Sequence, residues 1–323
     1  MKIDNILTQR LYQTWPSWHL VFEWEDTFNK CLNSRLICES EIVEKRVISK
    51  IPLLYNVITN NWANTFYFEM FAKLNNNIRN HRNMIPCIID CYVNKERIRL
   101  FEKQYSKCKV VFVSSREVYN YLKANNCRLN LMHLPLSLPD KYKVTSQTFF
   151  KKSFDVVMMG RQNVVLHEML MKYALENPSF NFVYERNDRP KFHYYTRSGK
   201  FLGVYDSRDK YFELMRQSKV ALYSTPGIDG GESRTHGFNQ VTPKFLEILS
   251  SGCHVIARYE SNPDTDYYEL SKFSKNITKY EDFKVCMKRY LNEEVDMDLY
   301  AHYLAKHYSS VRAKEMANVL STI

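Results

Sequence analysis

The chain has 323 residues, 45% of them apolar and 14% aromatic, and a formal net charge of +11; this supplies one large core or two smaller ones, the latter favoured, and excludes a disordered chain. No apolar run approaches the roughly 18 residues of a membrane-spanning helix. Only 8 glycines are present, against the roughly 23 that an average usage of about 7% would give, and the first is Gly160, which excludes a Walker-type phosphate loop or a dinucleotide fingerprint in the N-terminal half.

Residues 1–70 carry all four tryptophans, Trp15, Trp18, Trp24 and Trp62, and the alternation from His19 to Trp24 reads as a strand. Ile85 to Asp90 and Lys109 to Val113 are short apolar runs expected as buried parallel strands. Ser114-Ser115 caps a helix expected over 116–124, with Glu117 in the first turn where the helix dipole favours it. After Leu134-Pro135 the polar stretch from Pro139 to Lys143 places a domain boundary near 140–152.

The second half alternates more plainly. Strands are expected over 155–160, 180–184, 201–205, 220–224 and 253–257, and helices over 166–175, 208–218 and 242–251, with a mostly helical tail from Tyr280. That rhythm predicts an α/β fold with a parallel sheet between helices. Ligands in such sheets sit at the carboxyl ends of the strands. Thr242 reads as an N-cap, Pro243 as the first helical residue and Gly252 as the C-terminal cap. Four glycines, at 227, 230, 231 and 237, precede this helix, so loop and helix N-terminus together form a candidate anion site.

The charge is uneven. Residues 1–150 hold 21 Lys and Arg against 13 Asp and Glu, a net of +8, and the remainder 25 against 22, a net of +3. The basic residues are scattered, with clusters no longer than pairs such as Lys45-Arg46 and Lys151-Lys152. An anionic membrane surface or a polyphosphate ligand is therefore expected ahead of nucleic acid. The eight cysteines show no zinc spacing, and the opening residues lack the apolar core of a secretory signal, so a cytoplasmic location is expected. Asp264-Thr265-Asp266 spells a D-x-D but falls after the last strand of the second half, and His236 and His254 lack a third ligand. No metal is expected.

The segment Thr242-Pro243-Lys244-Phe245-Leu246-Glu247-Ile248-Leu249-Ser250-Ser251-Gly252-Cys253-His254-Val255-Ile256-Ala257 resembles the nucleotide-sugar signature of the group-1 retaining GT-B glycosyltransferases, roughly P-x-x-x-E-A-x-A-x-G-x-P-V-I-A. Gly160-Arg161 is similar to their G-R turn, Phe201-Leu202-Gly203 to their F-L-G strand, and Val111 through Pro135 to the end of their acceptor domain. The resemblance spans about residues 85–260, and only the Glu247 segment is specific alone. It implies two Rossmann-like domains facing a cleft: residues 1–148 for the acceptor and 149–323 for the donor, the last helices returning to the first domain.

The resemblance also implies roles. Arg161 would pair with the donor's diphosphate, and Glu247 would bond the ribose hydroxyls. The family's second diphosphate cation, five residues after the arginine, is replaced here by Leu166, with Arg234 or Lys244 as candidates to compensate. The family glutamate that contacts the transferred sugar is replaced by Asn239, which can bond hydroxyls but cannot act as acid or base. Gln240, Val241 and Thr242 would offer backbone N–H groups to the phosphates, and Gly203 and Val204 would read the base. The implied activity moves a sugar from a UDP- or GDP-linked donor to a glycan or lipid-linked acceptor in bacterial surface-polysaccharide assembly, with no cofactor, at the inner face of the plasma membrane. In the retaining relatives the departing phosphate takes the acceptor proton. An inverting enzyme would need a base in the first domain, for which Asp90 is the first candidate, followed by His133 and Glu25. A nucleotide-sugar 2-epimerase of the same fold, and a non-catalytic nucleotide-sugar or nucleic-acid binding module, are the alternatives.

Overall fold

A computed structural model describes residues 1–13, 17–38, 63–72, 82–188 and 191–323. Trp15, Trp62 and the Lys45-Arg46 pair lie outside them. The chain divides into two units, one made of Met1–Asp140 with Tyr308–Ile323 and the other of Lys141–His307. Each is a Rossmann-like α/β unit around one six-stranded sheet.

In the first unit the strands are β1 (Asn5–Thr8), β2 (Arg35–Cys38), β3 (Thr65–Phe71), β4 (Met84–Asp90), β5 (Val111–Val113) and β6 (Leu131–His133). They pair in the order β2-β1-β3-β4-β5-β6, all parallel. Among the described residues, three helices, α1 (Trp18–Leu32), α2 (Ile98–Tyr105) and α3 (Arg116–Ala124), connect strands. The cap on α3 is made by Ser115, whose hydroxyl accepts from the Val118 N–H at 3.1 Å.

His19 to Trp24 is not a strand. It lies within α1, where Val21, Trp24, Glu25 and Phe28 are the buried residues. Their spacing of three, one and three follows one helical face, and that longer period overrides the short alternation. Trp24 and Phe28 join Phe66, Phe68 and Phe112 in the core, with Phe28 stacked on Phe66 at 5.6 Å. Burying each such aromatic ring contributes on the order of 2–3 kcal/mol.

The second unit holds β7 (Phe154–Val157), β8 (Phe182–Asp188), β9 (Lys191–Thr196), β10 (Phe201–Val204), β11 (Ser218–Ser224) and β12 (His254–Arg258), in the order β10-β9-β8-β7-β11-β12. Strands β8, β7, β11 and β12 run parallel. The expectation of an all-parallel sheet fails at one edge, where β8-β9-β10 is an antiparallel meander. Two residues separate β8 from β9 and four separate β9 from β10, too few for the crossover that a parallel pair requires.

Helices α4 (Val164–Glu176), α5 (Arg208–Arg216) and α6 (Lys244–Ser250) follow β7, β10 and β11 respectively. Beyond β12 come α7 (Pro263–Tyr267), α8 (Leu270–Phe273), α9 (Tyr280–Asn292) and α10 (Met297–Leu304). The last helix, α11 (Ser309–Ser321), belongs to the first unit and packs on α1, adding Ala313, Met316 and Leu320 to that core. No helix among the described residues is long and apolar enough to cross a membrane.

Candidate functional site

The strand order of the second unit reverses between β7 and β11, since β8 lies on one side of β7 and β11-β12 on the other. Such a switch point leaves a crevice at the carboxyl ends of the two central strands, because the connections that follow them diverge to opposite faces. The segments leaving those ends are Met158 to Arg161 and Thr225 to Thr242, which carry most of the residues singled out by the sequence.

Gly160 turns the chain off β7 with φ +63, a left-handed conformation that glycine adopts without a Cβ penalty. Its N–H donates to Glu185 Oε2 at 2.9 Å, and the Tyr194 hydroxyl donates to the same oxygen at 2.6 Å. Burial and the neighbouring Glu185 push the Tyr194 hydroxyl far above its ordinary range, so it stays a donor. Arg161 follows. Its Nη1 donates to Glu232 Oε1 and its Nη2 to the Ser224 carbonyl at 3.4 Å. Arg234 Nε donates to the other oxygen of Glu232, so one carboxylate gathers two guanidinium groups.

Lys244 opens α6 and reaches back across the switch point, its Nζ donating to the Met159 carbonyl at 2.7 Å. Burial and the Arg161 charge push its ammonium down to about 8, against the opposing pull of Glu185 and Glu247. The start of this helix differs from expectation. It begins at Lys244 with Pro243 as the capping residue, and Thr242 makes no side-chain cap. Instead the Thr242 N–H donates to the Tyr223 hydroxyl at 2.9 Å, while its carbonyl accepts from the Phe245 N–H at 3.1 Å. Burial pushes that Tyr223 hydroxyl up to about 12.

Glu247 is buried one turn into α6, and both its oxygens are engaged. Arg208 Nη2 donates to Oε1 at 2.7 Å and the Tyr211 hydroxyl to Oε2 at 3.1 Å. Arg208 is itself flanked by the rings of Tyr142, Tyr211 and Phe212, at 5.6, 5.5 and 5.2 Å. The pair is therefore desolvated and charge-assisted, and removing Arg208 would leave a buried carboxylate without its counter-ion. Each carboxylate oxygen still keeps lone-pair capacity for a further donor.

Asn239 is buried, its Oδ1 accepting from Thr225 Oγ1 at 3.0 Å and its amide donating to the Gly237 carbonyl at 3.1 Å. Gln240 and Val241 are buried behind it. Gly227 and Gly231 are packed against the loop itself. A Cβ on Gly227 would meet the Phe238 carbonyl oxygen at 2.5 Å and Thr235 Oγ1 at 2.9 Å. The close approach foreseen for a ligand is, at this position, an approach of backbone to backbone.

Arg161, Arg234, Lys244 and Glu247 are thus linked through direct bonds or neighbouring charge. Gly203 and Val204 are not part of that cluster. They lie in edge strand β10, three strands from β7, or about 14 Å at the usual strand spacing, with Gly203 at φ +137 where the register shifts.

Asp90, His133 and Glu25 belong to the first unit. Asp90 is the last residue of β4, at the carboxyl edge of the parallel sheet. Burial and the charge of Arg116 push the His133 imidazole down to about 3, and its Nε2 sits 3.2 Å from the Ser114 carbonyl, so it is a neutral donor and a poor base. Burial pushes the Glu25 carboxyl up to about 7 despite hydrogen bonds from Thr8 Oγ1 at 2.6 Å and Arg10 Nε at 3.3 Å.

Sequence reading missed Arg208, Tyr211, Glu185 and Glu232. For Arg208 a signal existed: a cation in the first turn of a helix capped by Ser207 opposes the dipole and calls for a partner. For the others no spacing announces the pairing. Asp264 and Asp266 fall in α7, whose cap Asn262 accepts the N–H of Asp264 and Thr265 at 2.8 and 3.0 Å. Among the described residues no group of three or more His, Cys, Asp or Glu could hold a metal ion.

No family model and no curated protein matches the chain. Solved structures similar to it include the glycotransferase of kitacinnamycin, at 9% identity over 98% of this chain and 98% of that chain, TM-score 0.43. Another is the MnaA–UDP co-structure from S. aureus, at 10% identity over 99% of this chain and 96% of that chain, TM-score 0.43. A third is a variant of S. aureus TarM in complex with fondaparinux, alpha-GlcNAc-glycerol and UDP, at 12% identity over 93% of this chain and 57% of that chain, TM-score 0.48.

Proposed function

We propose that the second unit binds a nucleoside-diphosphate sugar and that the chain is a glycosyltransferase of the GT-B type, passing the sugar to a glycan or lipid-linked acceptor recognised by the first unit. The observation that carries this reading is the convergence of two cations on the switch point: Arg161 Nη2 donates to the Ser224 carbonyl at the end of β11, and the Lys244 ammonium spends one of its three donors on the Met159 carbonyl just past β7. Two cations at the carboxyl ends of the central strands suit a diphosphate, and Lys244 occupies the role left open by Leu166.

In this reading Arg161 and Lys244 neutralise the charge that grows on the diphosphate as the bond to the anomeric carbon breaks. Glu247, oriented by Arg208 and Tyr211, accepts from the ribose hydroxyls, and Asn239 bonds the transferred sugar. The acceptor hydroxyl attacks the anomeric carbon and its proton passes to the departing phosphate oxygen, with retention. The two cations meet the phosphate charge that a divalent metal carries in other transferases. The donor is UDP- or GDP-linked. The net charge of +8 over residues 1–150 suits an anionic membrane face, where a lipid-linked acceptor for surface polysaccharide would be met.

The test is release of nucleoside diphosphate from UDP- and GDP-sugars in the presence of glycan acceptors. Wild-type protein should consume one of these donors, and Arg161→Ala should lower kcat/KM by about 10²-fold, the usual cost of one transition-state donor. Equal turnover by Arg161→Ala, or isomerisation of the sugar without release of nucleotide, would refute the reading.

A further inference from the structure

Glu232 stands where the proposed diphosphate needs its cations. Its two carboxylate oxygens each take one guanidinium, Oε1 from Arg161 and Oε2 from Arg234. Burial works against its charge, yet the bonds and charges of Arg234 and Arg161 hold its carboxyl below the ordinary range, so it is ionised at neutral pH.

Its main chain is fixed independently of that side chain. The Glu232 N–H donates to the Pro226 carbonyl at 3.0 Å, and the Glu232 carbonyl accepts from the Thr235 N–H at 3.0 Å and from Thr235 Oγ1 at 2.8 Å. The side chain could therefore leave the arginines without unfolding the loop. A carboxylate presents two oxygens to guanidinium donors much as a phosphate does.

We propose that Glu232 is a tethered surrogate for phosphate: in the free protein it occupies Arg161 and Arg234, and a nucleoside diphosphate must displace it to bind. The inference rests on the donor-site reading. It makes Glu232 a residue that sets the affinity of the donor site. A singly phosphorylated ligand would exchange like for like and gain little. A diphosphate brings more oxygens and more charge, and Lys244 as a third cation, and so wins the exchange. The cost of displacing Glu232 falls equally on every anion, so it lowers all affinities alike, and the diphosphate, with the larger gross affinity, still binds.

Inorganic pyrophosphate and inorganic phosphate, titrated calorimetrically into the full chain, test this without assuming a base or a sugar. Glu232→Gln removes the charge and keeps the shape, while Glu232→Asp keeps the charge and serves as a control with near wild-type affinity. We expect Glu232→Gln to bind pyrophosphate at least threefold more tightly than wild type. Inorganic phosphate should tighten by a similar factor, and Arg161→Ala should weaken pyrophosphate binding. Unchanged or weaker binding by Glu232→Gln, with Arg161→Ala still weakening it, overturns the proposal alone and makes Glu232 a brace for the arginines. Pyrophosphate binding that is absent, or indifferent to Arg161→Ala, removes the donor-site reading and this proposal with it.

Discussion

Lys244 is the residue whose charge the site can least spare, because Leu166 stands where the resembled family keeps its second cation. Its ammonium, pushed down to about 8 by burial and by Arg161, is charged below that pH and increasingly neutral above it. A bound diphosphate favours the charged form, so above pH 8 binding must take up a proton. Affinity for a nucleoside diphosphate should therefore fall with rising pH from about 8, approaching tenfold per pH unit. Lys244→Met should bind more weakly at pH 7 and lose that slope. Titrations at pH 7, 8 and 9 check it, and an affinity that stays flat in the wild type would contradict it. At this scale the sequence singled out Arg161, Lys244 and Glu247 as candidates, through motif and helix position. It did not announce Glu232 or Glu185, because a carboxylate that pairs through the fold looks like any surface carboxylate in one dimension.

Among the elements, the loop from Pro226 to Phe238 shows how scarce glycine is used. Gly227 is held against the Phe238 carbonyl, so a methyl group there has nowhere to go. Gly227→Ala should destabilise the second unit by about 1–3 kcal/mol, the usual cost of forcing bulk into a packed site. Denaturant unfolding measures it, and a loss under a few tenths of a kcal/mol would show that the loop relaxes freely. Helices with local punctuation were legible. The helix over 116–124 was read to its ends because Ser115, Glu117 and the 3.6-residue apolar period agree. The alternation from His19 to Trp24 misled because six residues are too short a window to separate period 2 from the face that Val21, Trp24 and Phe28 share. The antiparallel β8-β9-β10 edge escaped because the β9 residues did not register as a strand, which left β8 and β10 to look like parallel neighbours.

For the whole molecule, the sequence conveyed the α/β class and the strand-helix rhythm, since both are written in local periodicity. Strand order was not legible, because pairing joins residues far apart in the chain, as when β7 takes β11 as its neighbour. Yet that order locates the candidate site: it places the reversal between β7 and β11, and hence Arg161 and Lys244, at one crevice. In the proposed function this crevice holds the diphosphate and Glu247 the ribose of one nucleotide. The most direct measurement is a calorimetric titration of UDP, GDP, ADP and CDP into the wild-type chain, Arg161→Ala and Glu247→Ala. We predict that the wild type binds UDP or GDP with a stoichiometry of about one, that Arg161→Ala weakens binding at least tenfold, and that Glu247→Ala weakens the nucleotide while leaving pyrophosphate affinity nearly unchanged. Binding of none of the four, or binding that both substitutions leave intact, would contradict the account.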